Sequence, residues 1–402
     1  MALGSEDRHT AVVRRRLRIA ASACVVSFAV AIGGCGGTGS TLTAGSGHAE
    51  TVFEAVPGPP FGVVTTPDGR YAFVDLIRGR VLVYAVSGFV PRLIRSVSVP
   101  GEAVGSSLTR DGRLLLIADG QGATVVSVAR AEHGTPGAVL GTLSPAPGAP
   151  LQAAGAIETA SSVDGRFVFV SLEYGAPGGA IAVYDLGSDA APHFGPRDYV
   201  GAITLGGAVV GSALSPDGRD LYVTSEIARP SSLNASRMSE GTLSVISVAA
   251  AEHGPTHAVL ATVPALYQPV RVALSPDGSV VWVTARASDR LLAFSAGKLL
   301  SDPRRALLAT VKVGTAPVGV AVYDNGARVI VADSDRFNAS AANAALTIVD
   351  ARAALAHRPA VIATVRSGMF PRELAVERDG AVALVSNFAS DQLEAVDLSR
   401  LR

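Results

Sequence analysis

Cysteine is almost missing from this chain: its 402 residues hold two, Cys24 and Cys35. Cys24 lies within an apolar run near the N-terminus, so a chain cut after that run keeps one cysteine and forms no internal disulfide. Lysine is as scarce, with Lys298 and Lys312 alone, and 34 basic groups balance 34 acidic ones. That balance leaves no basic footprint for nucleic acid. Neither a Gly-Lys-Thr/Ser phosphate loop nor a Gly-x-Ser-x-Gly nucleophile elbow occurs. After residue 32 no apolar run reaches the length of a membrane-spanning helix.

What the chain does have is one unit used seven times. An Asp-Gly or Asn-Gly turn ends at Gly69, Gly112, Gly165, Gly218, Gly278, Gly326 and Gly380, and four residues later a short apolar strand segment begins. Around Gly218 the pattern resolves into strands over 210–214, 221–225, 243–248 and 259–263, with Val, Ile, Leu, Tyr and Thr bounded by Gly, Pro and Asp. Four strands per unit of about 40 to 50 residues are blades of a β-propeller. The fold expected is all-β: a seven-bladed β-propeller of four-stranded antiparallel blades over 51–398. The blades fall at about 60–100, 101–150, 151–206, 207–266, 267–314, 315–367 and 368–398. The last unit lacks a fourth strand, and Thr51-Val52-Phe53-Glu54-Ala55-Val56-Pro57-Gly58 matches the missing one, so 51–58 is expected to close the ring.

Histidine offers no metal centre. Ala131-Glu132-His133-Gly134 and Ala251-Glu252-His253-Gly254 fall in third-to-fourth connections, one per blade, and read as capped helical turns. No metal and no cofactor are expected.

The N-terminus carries Arg14, Arg15, Arg16 and Arg18, an apolar run over 19–32, then Gly33-Gly34-Cys35. Ile32-Gly33-Gly34-Cys35 resembles a bacterial lipobox, which implies a signal peptide over 1–34, lipidation at Cys35 and a membrane partner reached through that anchor. An ordinary signal peptide is the alternative. Arg14-Arg15 also resembles a twin-arginine signal, so the export route stays open. Either way the body is expected in the cell envelope, at the outer side of the cytoplasmic membrane or in the periplasm, as a monomer. The Gly, Ser, Thr and Ala of 35–50 form a flexible tether. Without residues 1–34 the chain keeps 29 basic and 32 acidic groups, a net charge of about −3.

Ser215-Pro216-Asp217-Gly218 with Leu221-Tyr222-Val223-Thr224, echoed at Ser275-Pro276-Asp277-Gly278 and Trp282-Val283-Thr284, resembles the YVTN β-propeller family. That group overlaps with lactonase-like propellers. The resemblance covers 51–398 and implies the fold; its motifs are turn and strand residues, none of them reactive. No Trp-Asp dipeptide recurs, which disfavours a WD40 propeller.

The repeat also serves as a ruler. Seven residues before each turn glycine stand Gly62, Gly105, Glu158, Gly211, Arg271, Gly319 and Glu373, and beside the last sits Arg372 where the other blades have an apolar residue. Just past the strand segments come Glu173, Glu226 and Arg286, with Asp333 and Asn387 one residue earlier in theirs. These nine residues converge on one side of the axial opening, spanning blades three to seven, under the long loops 226–241 and 333–345. One reading is a pocket in which Arg271, Arg286 and Arg372 hold an anionic or polyhydroxylated small molecule and the carboxylates accept hydrogen bonds or move protons. The other is an inter-blade network in which Glu158, Glu173, Arg271, Arg372 and Glu373 pair with one another. The corresponding functions are a binding or interaction scaffold for a small polar ligand or a protein partner, or a lactonase-like hydrolase.

Overall fold

Each blade turns for a local reason. In blade four the Ser215 hydroxyl donates to Asp217 at 2.6 Å and accepts the Asp220 amide at 3.0 Å, while Asp217 accepts the Arg219 amide at 3.1 Å. Gly218 supplies the left-handed φ of 75° that closes the turn. The hydroxyl-to-aspartate bond recurs at Thr66–Asp68, Thr109–Asp111, Ser162–Asp164 and Ser275–Asp277. Blade six departs from it, replacing the turn with a 3-10 segment over Asp324–Gly326.

The computed structural model describes residues 50–146, 149, 154–174, 178–187, 194–228, 240–338 and 341–401. The expected signal peptide over 1–34, Cys35, nearly all of the expected tether and the stretch 229–239 of the longest loop lie outside the described residues. The described chain forms seven four-stranded antiparallel sheets in a ring, a seven-bladed β-propeller. Six sheets use consecutive strands. The seventh joins Pro371–Val376, Val382–Asn387 and Gln392–Asp397 to Thr51–Ala55, with Thr51 opposite Val396 and Ala55 opposite Gln392. The closing strand is shorter than the expected 51–58, because after Ala55 the Val56 amide turns to the Asp391 carbonyl at 2.8 Å and Gly58 takes φ 131°.

Apolar cores lie between neighbouring blades. Phe73, Leu115, Ile117 and Val126 join blades one and two, and Trp282, Val329 and Val331 join five and six. Nearer the axis, hydroxyls staple blades four, five and seven to the next: Thr224 donates to the Val270 carbonyl at 2.7 Å, Thr284 to Val318 at 2.7 Å and Ser386 to Phe61 at 2.8 Å.

In six blades the pairing of inner and second strand slips by a bulge, and the bulges at Ala156/Glu158, Val209/Gly211, Pro269/Val272 and Pro371/Leu374 bracket ruler positions. A bulge re-aims a side chain, here toward the axis. Where the residue is glycine the next blade comes close: a Cβ on Gly211 would sit 2.1 Å from the Val270 carbonyl oxygen, and one on Gly105 2.3 Å from that of Ile157. The expected helical turns are present as Val128–His133 and Val248–His253, capped by Ser127 and Ser247.

Candidate functional site

Three blades are joined by an ion cluster centred on Arg271. Arg271, 6% exposed, reaches from blade five to Glu158 of blade three, 3.3 Å away, and to Glu373 of blade seven, which accepts from its Nε at 2.6 Å. Its third contact is the Val210 carbonyl at 3.1 Å. Burial works against the Arg271 charge, but Glu373 and Glu158 outweigh it and hold its pKa above the ordinary value. Burial pushes Glu158 up to about 8; Arg271 offsets part of that rise, and Glu373 and Asp75 add to it. Asp75 of blade one lies nearby with 0% exposure, its carboxyl oxygens without a hydrogen-bond partner among the described residues, and burial raises its pKa to about 7 against the pull of the nearby Ser106 hydroxyl. For Glu158, Arg271 and Glu373 the inter-blade network is thus the arrangement found.

A second layer, toward the face of the blade links and second-to-third loops, is different. Arg286 pairs with Glu226 at 2.7 Å and donates to the Gln268 side chain at 3.1 Å. Arg372, only 8% exposed, has no hydrogen bond and no ion pair among the described residues. Its guanidinium carbon lies 3.4 Å from the centroid of Phe61, with Phe370 at 5.6 Å and Phe388 at 5.8 Å, a three-ring wall. Burial first, then the charges of Arg271 and Arg336, push its pKa well below the ordinary value. Arg336 stands on the exposed rim, 4.9 Å from the Phe370 ring. The atoms crowded around its guanidinium and the neighbouring Arg286 lower its pKa to about 10. Glu173 faces these arginines without an ion pair among the described residues; burial and the charge of Glu226 raise it to about 7 against the pull of Arg372, Arg286 and Arg336.

Phe370 holds the left-handed φ of 54° at a position where other blades put Gly155, Ala208, Gln268 or Ala316. A bulky ring there costs on the order of 1–3 kcal/mol of backbone strain. The ring fills the space between Arg372 and Arg336, which is what the strain secures.

The structure does not bring Asp333 and Asn387 into this group. Asp333, fully buried, accepts from Thr347 at 2.5 Å and fills the space beside Gly314, and burial raises its pKa to about 7. Asn387 donates to buried Glu394 at 2.8 Å and accepts from Ser367 at 3.1 Å. Both tie blade links to their own sheets, work a buried polar group needs. Blade one, from which little was expected, supplies Phe61 and Asp75. Phe388 could have been found as the counterpart of Glu173, Glu226 and Arg286 just past the strand segment. Arg336 lies in a loop outside the repeat and had no such signal.

Among the described residues no three His, Cys, Asp or Glu side chains cluster as metal ligands. A hollow of about 320 Å³ on the outer rim, lined by Arg95, Arg130 and Thr135, is remote from the axis, and Arg130 there is committed to the Gly137 carbonyl at 3.0 Å.

The ring and its mouth define a seven-bladed β-propeller. No family model matches the chain, and no curated protein sequence matches it. Among solved structures it is similar to the hydrazine synthase of Kuenenia stuttgartiensis, with a TM-score of 0.65 and 16% sequence identity over 86% of this chain and 96% of that one. At that identity the likeness shows the fold alone.

Proposed function

We propose that this protein is an exported, lipid-anchored propeller, monomeric and of the YVTN type, that binds a small anionic, hydroxyl-bearing ligand at the axial mouth. Arg372 carries the reading: a buried guanidinium stacked on Phe61, with no carboxylate paired to it among the described residues, is suited to an anion. Arg336 and Arg286 add positive charge beside it, while Glu173, Glu226 and Gln268 offer acceptors for hydroxyls. A thermal-shift screen with sulfate, phosphate, citrate and gluconate tests this. Stabilisation by one or more of these anions, lost in Arg372→Ala, is expected; no shift with any of them overturns the reading.

One observation favours hydrolysis as a second reading. Glu173 has no ion pair among the described residues and faces three arginines, and burial pushes its pKa up to about 7, where a carboxylate can take a proton from water at neutral pH. An arginine beside it would hold the carboxylate or phosphate of a lactone. Turnover of sugar or hydroxy-acid lactones that disappears in Glu173→Gln would support a lactonase; wild-type rates at background would remove that reading.

A further inference from the structure

On the Asp-Gly turn face, the outer rims of blades four, five and six form one continuous surface. Helix Ala296–Ser301 packs on the outer strand Val259–Tyr267, and helix Ala351–Leu355 on the outer strand Leu307–Lys312. Leu260, Leu300, Leu307, Val361 and Ile362 along this rim are each about half exposed. Isolated exposed apolar residues are ordinary, but a row of five on three adjacent blades is an interaction surface.

Its charge names the partner. Lys298, Arg304, Arg305, Arg352 and Arg358 are exposed on the same connections, and His253, His257 and His357 stand among them. Against them are half-buried Glu252, Asp302 and Asp350, with Asp302 3.9 Å from Arg305 and Asp350 paired with Arg328 at 3.0 Å. The rim is basic on a chain that is net negative after residue 34. Cations beside exposed aliphatic side chains suit an anionic lipid surface, where each Lys or Arg near the headgroups is worth about 1 kcal/mol.

The chain's entry point lies on the same face. Glu50 gives its carbonyl to the Asp397 amide at 2.9 Å, and the neighbouring Leu398 amide bonds to Ala381, the residue after the turn glycine Gly380. Glu50, the first described residue, therefore lies on the turn face of blade seven, next to blade six. We propose that the rim of blades four to six docks on anionic phospholipid and so orients the propeller on the bilayer. The axial mouth opens on the opposite face, clear of the lipid.

A chain of residues 50–402 holds every strand of the seven sheets and carries neither the leader nor Cys35, so it tests the rim alone. It is sedimented with vesicles of phosphatidylglycerol and phosphatidylcholine, or of phosphatidylcholine only, at low and high salt. Binding to the anionic vesicles alone, weakened by salt and reduced about tenfold or more by Arg304→Glu with Arg305→Glu, is expected. Arg352→Glu with Arg358→Glu is a second, independent pair should the first impair folding. No binding, equal binding to both vesicles, or binding indifferent to both pairs overturns the proposal. So does concentration-dependent dimerisation abolished by the same substitutions, which would assign the rim to a second copy of the chain.

Discussion

A guanidinium taken out of water and left without a carboxylate costs stability, and Arg372 is in that position. Replacing it with an apolar chain of similar length should therefore stabilise the empty protein. Arg372→Met is expected to gain about 1–2 kcal/mol in thermal or denaturant unfolding while losing its response to anions. A variant less stable than wild type without anion would mean that Arg372 serves the fold. Asp75 gives a pH prediction. Its folded pKa of about 7 lies above the ordinary 3.8, so the folded state holds the proton more tightly. The stability it contributes is complete below about pH 4 and is lost as pH rises through about 7. Asp75→Asn removes that loss and should flatten the decline of unfolding temperature between pH 5 and pH 8. An unchanged pH profile in the variant would contradict the burial of an ionisable carboxyl there.

At the scale of elements, ring closure rests on one short strand. Thr51–Ala55 pairs with Gln392–Asp397, and without it that strand of blade seven becomes a bare edge. Deleting 51–58 is expected to lower the unfolding temperature by roughly ten degrees and to broaden the transition, since several kcal/mol of pairing and burial are lost. Unchanged thermal unfolding would mean that the ring closes by other contacts. The inner strands show the second rule of construction. Glycine at a ruler position lets the next blade's backbone approach, and a side chain there must occupy the axis, as Glu158, Arg271 and Glu373 do.

For the whole molecule, the sequence was most legible where the repeat enforces one solution. Blade number, four strands per blade and closure by the N-terminal strand follow from turn chemistry and periodicity, and the structure has all three. The axial positions were legible as departures from the repeat, but the partner of each charge was not. Pairing is decided across the ring, between residues such as Arg271 and Glu373 that are 102 positions apart, and no local pattern encodes it. Asp333 and Asn387 look like site residues by type, yet their partners Thr347 and Glu394 make them part of the blade links. Phe61, Phe370 and Phe388 escaped a reading tuned to ionisable groups. It is these rings that isolate Arg372.

The most direct measurement is calorimetric titration of residues 50–402 with citrate and with gluconate, in wild type and in Arg372→Met. Saturable one-site binding of at least one of the two, weakened about tenfold or more in the variant, is the result predicted. No saturable heat with either anion, or equal affinity in both proteins, would contradict an anion site built around Arg372.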